Sequence, residues 1–453
     1  LEFLDLILGG NCEYNVIPDP ARNDIIRGIN EGREGKGIIF VFASGNAFWY
    51  GDSTVFQPFT NSRFVISVGA VAKDGSHAPY STGGPNLFVT APGGNKNTPP
   101  NHVTADIGGG CRDATYATSL ATPVVSGVIA LMLEANPNLT WRDVQWILAS
   151  TSQTRDNDPY DDKALVNGAG FWHSQLYGFG TVNAEASVAA ATTWKNVEPE
   201  DVLLQESGVI NLSIPEGSPP SSVSTTLGLV SEDGVTEFIA ESVVVYLDLQ
   251  HSTRGQLEIT LVSPQGTASI LSPGRRPENS QLRDDERWKL MTVEFWGESA
   301  IGDWILSVVD LVDGDVDECV SGPWSVATAQ GEKFRCSDLE AFGFCENGVL
   351  DPSSLLDDNT YNSIFHVGDN NGLLALDECC SCGGGMNAKD VDDQIRQWRL
   401  VVYGQKRTGP VTPPTAEAPF VPSPTSAGNR TKSTYQTFFL VVLGIILHFL
   451  GCY

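Results

Sequence analysis

The apolar positions change their period along the chain, and the change divides it. "GIIFVFASGN" (Gly37–Asn46) is a continuous apolar run bounded by glycines, and "RFVISVGAVA" (Arg63–Ala72) is a second. Runs of this kind predict strands buried on both faces of a parallel sheet. "ATPVVSGVIALMLEAN" (Ala121–Asn136) is apolar all round, long and alanine-rich, which predicts a buried central helix. Thr140 then predicts the N-cap of a further helix, "TWRDVQWILAST", with Asp143 three residues on as the capping-box partner. Residues 35–195 therefore read as α/β, and the first domain is placed at 1–195.

From about Val197 the apolar period falls to two. "VVVYLDLQH", "QLEITLVSPQGT", "GDWILSVVD" and "QWRLVVYG" are short strand-like stretches separated by Gly, Pro and Ser. They predict an all-β sandwich or jelly roll over 196–405. A cysteine-rich stretch, 319–385, is inserted before the last of these strands. Residues 406–436 are rich in Pro, Thr, Ser and Ala and predict an extended stalk. The apolar tail "FFLVVLGIILHFLGCY" in 437–453 would measure roughly 24 Å as a helix, which is short for a membrane span. Small residues at Ser426, Ala427 and Gly428, then a polar spacer, then the tail make the pattern of a glycolipid (GPI) attachment signal. That reading is favoured over a transmembrane helix, and either gives membrane attachment through the C-terminal tail.

Charge narrows the class. The chain has 55 acidic and 27 basic residues, a net charge of -28. Such an excess argues against a nucleic-acid partner and suits an extracellular protein that binds calcium through oxygen ligands. The first methionine is Met132, so a processed or N-terminally incomplete chain is expected. Six of the nine cysteines lie close together, at Cys319, Cys336, Cys345, Cys379, Cys380 and Cys382. They predict a small disulfide-stapled module in an oxidising compartment. A zinc reading of "CCSC" has only His366 in usable spacing. Asn138, Asn211 and Asn429 stand in glycosylation sequons and agree with the secretory pathway or cell surface. The sequence sets no oligomeric state.

One stretch carries candidate chemistry. Ser119, in "YATSLATP", sits where a loop enters the apolar helix. A serine hydroxyl needs a neighbouring base and donors aimed at the developing oxyanion before it acts as a nucleophile. The backbone N–H groups at a helix N-terminus supply such donors. Asn46 ends a predicted strand at the C-terminal edge of the sheet, where α/β sites form, and its amide could supply another. A serine that only caps a helix and an asparagine that only makes a turn fit the same spacing.

Several motifs in one order decide between these readings. "ATSLATP" resembles the Gly-Thr-Ser-x-Ala-x-Pro signature of subtilisin-like serine peptidases, and "FVFASGN" resembles their oxyanion-asparagine segment. "VTADIGGGC", "EANPNLTWRDVQWILASTS" and "YGFGTVNA" are similar to the kexin and furin branch, the proprotein convertases. The strands of the second half look like that branch's P domain. The resemblance implies a subtilisin-like catalytic domain, here its C-terminal part, followed by a jelly-roll P domain with a cysteine-rich insert resembling ShK modules. It implies Ser119 as nucleophile and Asn46 as oxyanion donor. It also implies substrate contacts at Leu8, Gly9, Gly10, Ser44, Gly45 and Gln57, and calcium at Asp52. Peptide or protein would be the substrate.

The departures from the pattern are specific. No His precedes His77 and no His-Gly pair occurs, so the catalytic Asp and His are expected upstream of this chain, which alone is expected to be inactive. Ala117 replaces a glycine that would matter if φ were positive there. Gln57 stands where the furin group has an acidic residue at the floor of its arginine pocket, and Thr82 where it has a calcium-binding glutamate. Asn183 replaces an aspartate and reads as structural. His251 matches a recurrent P-domain histidine and reads as structural too. The rival reading is a surface binding protein on a dead peptidase scaffold.

Overall fold

The computed structural model describes residues 16–48, 51–95, 102–105, 110–155, 158, 161, 164–215, 222–230, 237–251, 254–274, 288–311, 325–327, 333–335, 345–346, 349–350 and 393–406. Helix α1 (Asp19–Glu31) follows Pro18 and has Pro20 in its first turn, which removes one of the N–H groups left there without an intrahelical acceptor, and it buries Ile25 and Ile29 against Ile17. Strands β1 (Phe40–Ala43), β2 (Val65–Val71) and β3 (Val89–Pro92) form a parallel sheet in that order. Ala43 pairs with Val68, and Val68 with Val89. The hairpin β4 (His102–Ala105) and β5 (Cys111–Thr115) leads to helix α2 (Thr118–Ala135). Helix α3 (Trp141–Thr151), the short pair β6 (Leu165–Val166) and β7 (Trp172–His173), and helix α4 (Ala184–Thr193) complete the α/β half.

The apolar runs overstate the burial in two places. Every residue of β2 is buried, as the run predicts, but β1 is half-buried throughout because it lies at the margin of the described sheet. Helix α2 is apolar all round, yet it buries one stripe, Thr118, Ala121, Val125, Val128, Ile129 and Met132, while Leu131 is 50% exposed. The stripe recurs every three or four residues, so packing on the sheet sets it rather than composition. The capping box at α3 is present. The Thr140 hydroxyl accepts from the Asp143 backbone N–H at 3.2 Å, and Asp143 accepts the Thr140 backbone N–H at 2.7 Å. The second Asp143 oxygen accepts from the Trp194 indole and the Val197 backbone, which fixes the exit from α4.

The second half is a pair of antiparallel sheets. Its strands are β8 (Asp201–Glu206), β9 (Leu212–Ser213), β10 (Ser222–Leu229), β11 (Phe238–Gln250), β12 (Leu257–Val262), β13 (Ala268–Pro273), β14 (Trp288–Thr292) and β15 (Gly302–Asp310). Two short hairpins follow, β16 (Ser325–Ala327) with β17 (Lys333–Arg335) and β18 (Cys345–Glu346) with β19 (Val349–Leu350), before the long β20 (Gln394–Lys406). One sheet has the order β10-β15-β12-β13 and the other β14-β11-β20-β8, with β9 also beside β20. Alternate residues point inward: Leu257, Ile259 and Leu261 of β12 and Trp304, Leu306 and Val308 of β15 share a core with Val243, Val245 and Leu247 of β11 and Trp398, Leu400 and Val402 of β20. Strand β20 joins this sheet although it follows the predicted insert. Of the six insert cysteines only Cys345 falls on a described element; Cys319, Cys336, Cys379, Cys380 and Cys382, the stalk and the tail lie outside the described residues.

The two halves belong to one compact unit, Leu1–Gly409, and they interlock. Val293 and Trp296, from the loop after β14, lie in the α/β core beside Phe88, Trp146 and Phe179. In return Val55 and Phe56, from the loop between β1 and β2, lie in the sandwich core, where Phe56 stacks on Trp288 at 5.8 Å. The α3 residue Arg142 donates through Nε to Glu241 of β11 at 2.7 Å and through a second guanidinium nitrogen to the other Glu241 oxygen. Trp146 donates to the same carboxylate at 2.8 Å. Asn61 and Lys289 exchange backbone acceptors at 2.8 and 2.6 Å, and burial draws the Lys289 ammonium down to about 8. Asn167 holds the Trp296 loop through the carbonyls of Glu294 and Trp296.

Breaking one side of a buried ion pair leaves an uncompensated charge. Arg142→Ala is therefore expected to cost about 3–5 kcal/mol, and joint replacement of Arg142 and Glu241 by apolar residues much less. Trp296→Ala should cost a similar amount, about 3–5 kcal/mol, through the cavity it leaves. Urea denaturation followed by tryptophan fluorescence and by circular dichroism checks both, and the two probes should report one coincident transition for the interlocked halves.

Candidate active site

The site forms where β1 ends and α2 begins. After Ala43 the backbone turns sharply at Gly45, whose φ of +103° lies in the region that favours glycine. A Cβ there would come within 2.4 Å of the Gln57 amide nitrogen, so the position also needs glycine for space. Ser44 is fully buried, and its backbone N–H donates to Val68 of β2 at 2.9 Å. Asn46 follows at the surface.

Asn46 and Ser119 are joined through Thr118. The Asn46 side-chain oxygen accepts from the Thr118 backbone N–H at 2.9 Å and from the Thr118 hydroxyl at 2.9 Å. A carboxamide oxygen occupied twice fixes which way the group faces, and its two N–H donors are left for something else. Ser119, one residue on, is exposed in the first turn of α2, where backbone N–H groups have no intrahelical acceptor. Pro123, four residues later, has no N–H to give the Ser119 carbonyl. Ala117 lies just before the helix with φ -177°, an extended conformation open to any residue, so the loss of glycine there causes no strain. Tyr80 pins the approach by donating to the carbonyls of Gly93 and Gly94 at 3.0 and 2.7 Å; burial raises its phenol, which keeps it a neutral donor.

Behind this edge lies a second tier. The Thr82 hydroxyl accepts from the Ala47 backbone N–H at 3.0 Å, and the Thr82 N–H donates to Gly45 at 3.0 Å. Asp52 is 7% exposed. One of its oxygens accepts from the Ser53 backbone N–H at 2.8 Å and the other from the Gln57 amide at 2.9 Å. A calcium ion needs six to eight oxygen ligands. Gln57 meets Asp52 through its amide nitrogen rather than an oxygen, the Thr82 hydroxyl already accepts the Ala47 N–H, and no group of three or more His, Cys, Asp or Glu suited to a metal occurs among the described residues. The residues around Asp52 thus do not fit a calcium site.

The histidines whose side chains are described are engaged elsewhere. His77 faces the Ser81 carbonyl at 2.9 Å and packs edge-on against Phe48. His173 is buried between the Leu87 carbonyl and Glu294. His251 lies beside Asp310 and Asp393 at the ends of three sandwich strands. None of these three hydrogen-bonds Ser119, so no histidine whose side chain is described serves it as a base. Of the implied substrate contacts, Ser44, Gly45 and Gln57 cluster beside Asn46, while Leu8, Gly9 and Gly10 lie outside the described residues. Asn138 and Asn211 are exposed, as glycosylation requires, and Asn429 lies outside the described residues. Asn183 caps α4 by accepting from the Ala186 N–H, so it acts structurally. Thr118 was missed by sequence reasoning, although its place directly before Ser119 in the motif was visible.

Comparison with known proteins agrees with this geometry. Residues 12–180 match the subtilase family of S8 peptidases, and residues 240–325 match the proprotein convertase P domain. The chain is 36% identical over 299 residues to Protease KEX1 of Kluyveromyces lactis, covering 65% of this chain and 38% of that protein. It is 38% identical over 284 residues to proprotein convertase subtilisin/kexin type 6 of Rattus norvegicus, covering 63% and 30%. The chain thus spans well under half the length of these relatives. The crystal structure of a serine protease of Aeromonas sobria shares the fold with a TM-score of 0.61 at 21% identity, over 87% of this chain and 70% of that one.

Burial draws His77 down from its ordinary value to about 4. The folded state therefore holds it neutral while the unfolded chain takes up a proton below about 6.5. The stability this contributes is complete above about pH 6.5 and is lost as pH falls toward 4. The midpoint of thermal unfolding should fall between pH 7 and 4, with a shallower slope in His77→Gln.

Proposed function

We propose that this chain, a kexin-like subtilisin with a P domain, is part of a serine endopeptidase of the secretory pathway or cell surface, in which Ser119 attacks the substrate peptide carbonyl. The observation that carries the reading is the double hydrogen bond from Thr118 to the Asn46 side-chain oxygen, which fixes the carboxamide beside the nucleophile. Ser119 Oγ would bond to the carbonyl carbon as its proton passes to a histidine. The negative charge on the carbonyl oxygen would be met by the freed Asn46 N–H and by the backbone N–H of Ser119 itself. Collapse would expel the amine, protonated by that histidine, and water would release the acyl group by the same steps in reverse order. The base and its orienting aspartate are proposed to come from residues outside these 453. Attachment through the C-terminal tail belongs to the same proposal.

The pocket floor follows from Gln57. Its amide nitrogen is committed to Asp52, so the neutral side chain offers no carboxylate to a substrate guanidinium. An arginine placed there would lose its hydration and find the neighbouring Asp52 carboxylate already held by Ser53 and Gln57. The full-length enzyme is therefore expected to prefer Arg before the cleaved bond by less than about 100-fold over neutral residues. Cleavage of a peptide library measures this.

Ser119→Ala should lower the rate of the full-length enzyme by several orders of magnitude. Asn46→Ala should lower kcat by about 10²–10³ with a smaller effect on KM, the size this donor has in subtilisin. The 453-residue chain alone should neither cleave fluorogenic peptides nor take up a covalent phosphonate. Labelling of Ser119 in that chain would identify a base within it and overturn the assignment. Absence of both activity and labelling in the full-length wild type would favour the dead-scaffold reading.

A further inference from the structure

We propose that Gln57 takes the place of a cation in this chain, so that an amide–carboxylate clasp between Gln57 and Asp52 closes the loop after Asn46 without calcium. A carboxylate can only accept hydrogen bonds, so the Gln57 group that faces it is the NH₂ end. Asp52 is 7% exposed, and each of its oxygens has a protein N–H donor, from Ser53 at 2.8 Å and from Gln57 at 2.9 Å. Two such donors hold the carboxylate in place without a metal. A calcium ion at this place would meet the positive end of the Gln57 amide. It would also find at Thr82, buried and holding the Ala47 N–H at 3.0 Å, a hydroxyl already in use.

The clasp has a mechanical reason to exist. Between its two members the chain runs through Val55 and Phe56, which are 0% and 1% exposed within the sandwich core. Thr54 ties the middle of the loop to Gly83 and Asn86. Gln57 also lies directly over Gly45, one residue from Asn46. The clasp therefore joins the aromatic anchor in the sandwich to the turn that presents Asn46.

Calcium binding and unfolding test this without any catalytic readout, so the outcome is independent of the endopeptidase reading. Equilibrium dialysis of the full chain with calcium should give the same number of bound ions for the wild type and for Asp52→Asn. Loss of one equivalent in Asp52→Asn would overturn the proposal. Gln57→Ala should lower the unfolding midpoint by a few degrees, and millimolar calcium should not restore it. Restoration by calcium would show that a cation can enter once the amide is gone from a site built for it, and would also overturn the proposal. Should Asp52→Asn fail to fold, the calcium response of Gln57→Ala decides alone.

Discussion

Two loops exchange aromatic anchors, and the architecture of the site depends on that exchange. Phe56 leaves the α/β half to stack on Trp288, and Trp296 leaves the sandwich to pack among Phe88, Trp146 and Phe179. Aromatic side chains bury more apolar surface than any others, so withdrawing either one opens a hole in the other half's core. The Arg142–Glu241 pair crosses the same boundary, and its desolvated charges tolerate little relative movement of the two halves. The sandwich is therefore a structural component of the α/β core rather than a neighbour resting on it.

The exposed chemistry inherits its order from buried parts. Asn46 is at the surface, but its carboxamide is set by Thr118, which is fully buried. Gly45 holds a backbone angle that other residues resist, with Gln57 packed over it. Gln57 in turn is held by Asp52, and the residue before it is Phe56. Each step is a short-range contact between a mobile type of group and a more constrained one. The loop carrying Asn46 is thereby tied to the core.

Local chemistry made much of this legible in the sequence. The Thr140–Asp143 box, the buried strand at Val65–Val71 and the alternating strands of the sandwich depend on near neighbours or on a simple period. That Asn46 and the segment of Ser119 would meet was expected through a motif, since spacing alone also fits a cap and a turn. The anchors were not legible, because Phe56 and Trp296 sit in loops and their burial depends on partners far along the chain. The one-sided burial of α2 was hidden for the opposite reason: an all-apolar helix carries no pattern from which to choose a face. The Asp52–Gln57 bond needed the loop's geometry, since five residues of separation in irregular backbone imply no contact.

The exchanged anchors have a consequence for inheritance. A recombination event that brought in a foreign sandwich with a smaller residue at Trp296 would leave a void among Phe88, Trp146 and Phe179 of the resident half. One that brought in a foreign α/β half lacking Phe56 would leave Trp288 without its stacking partner. Shuffling at the 195/196 boundary thus penalises each half for the other's ancestry, and the two are expected to descend as a single cassette.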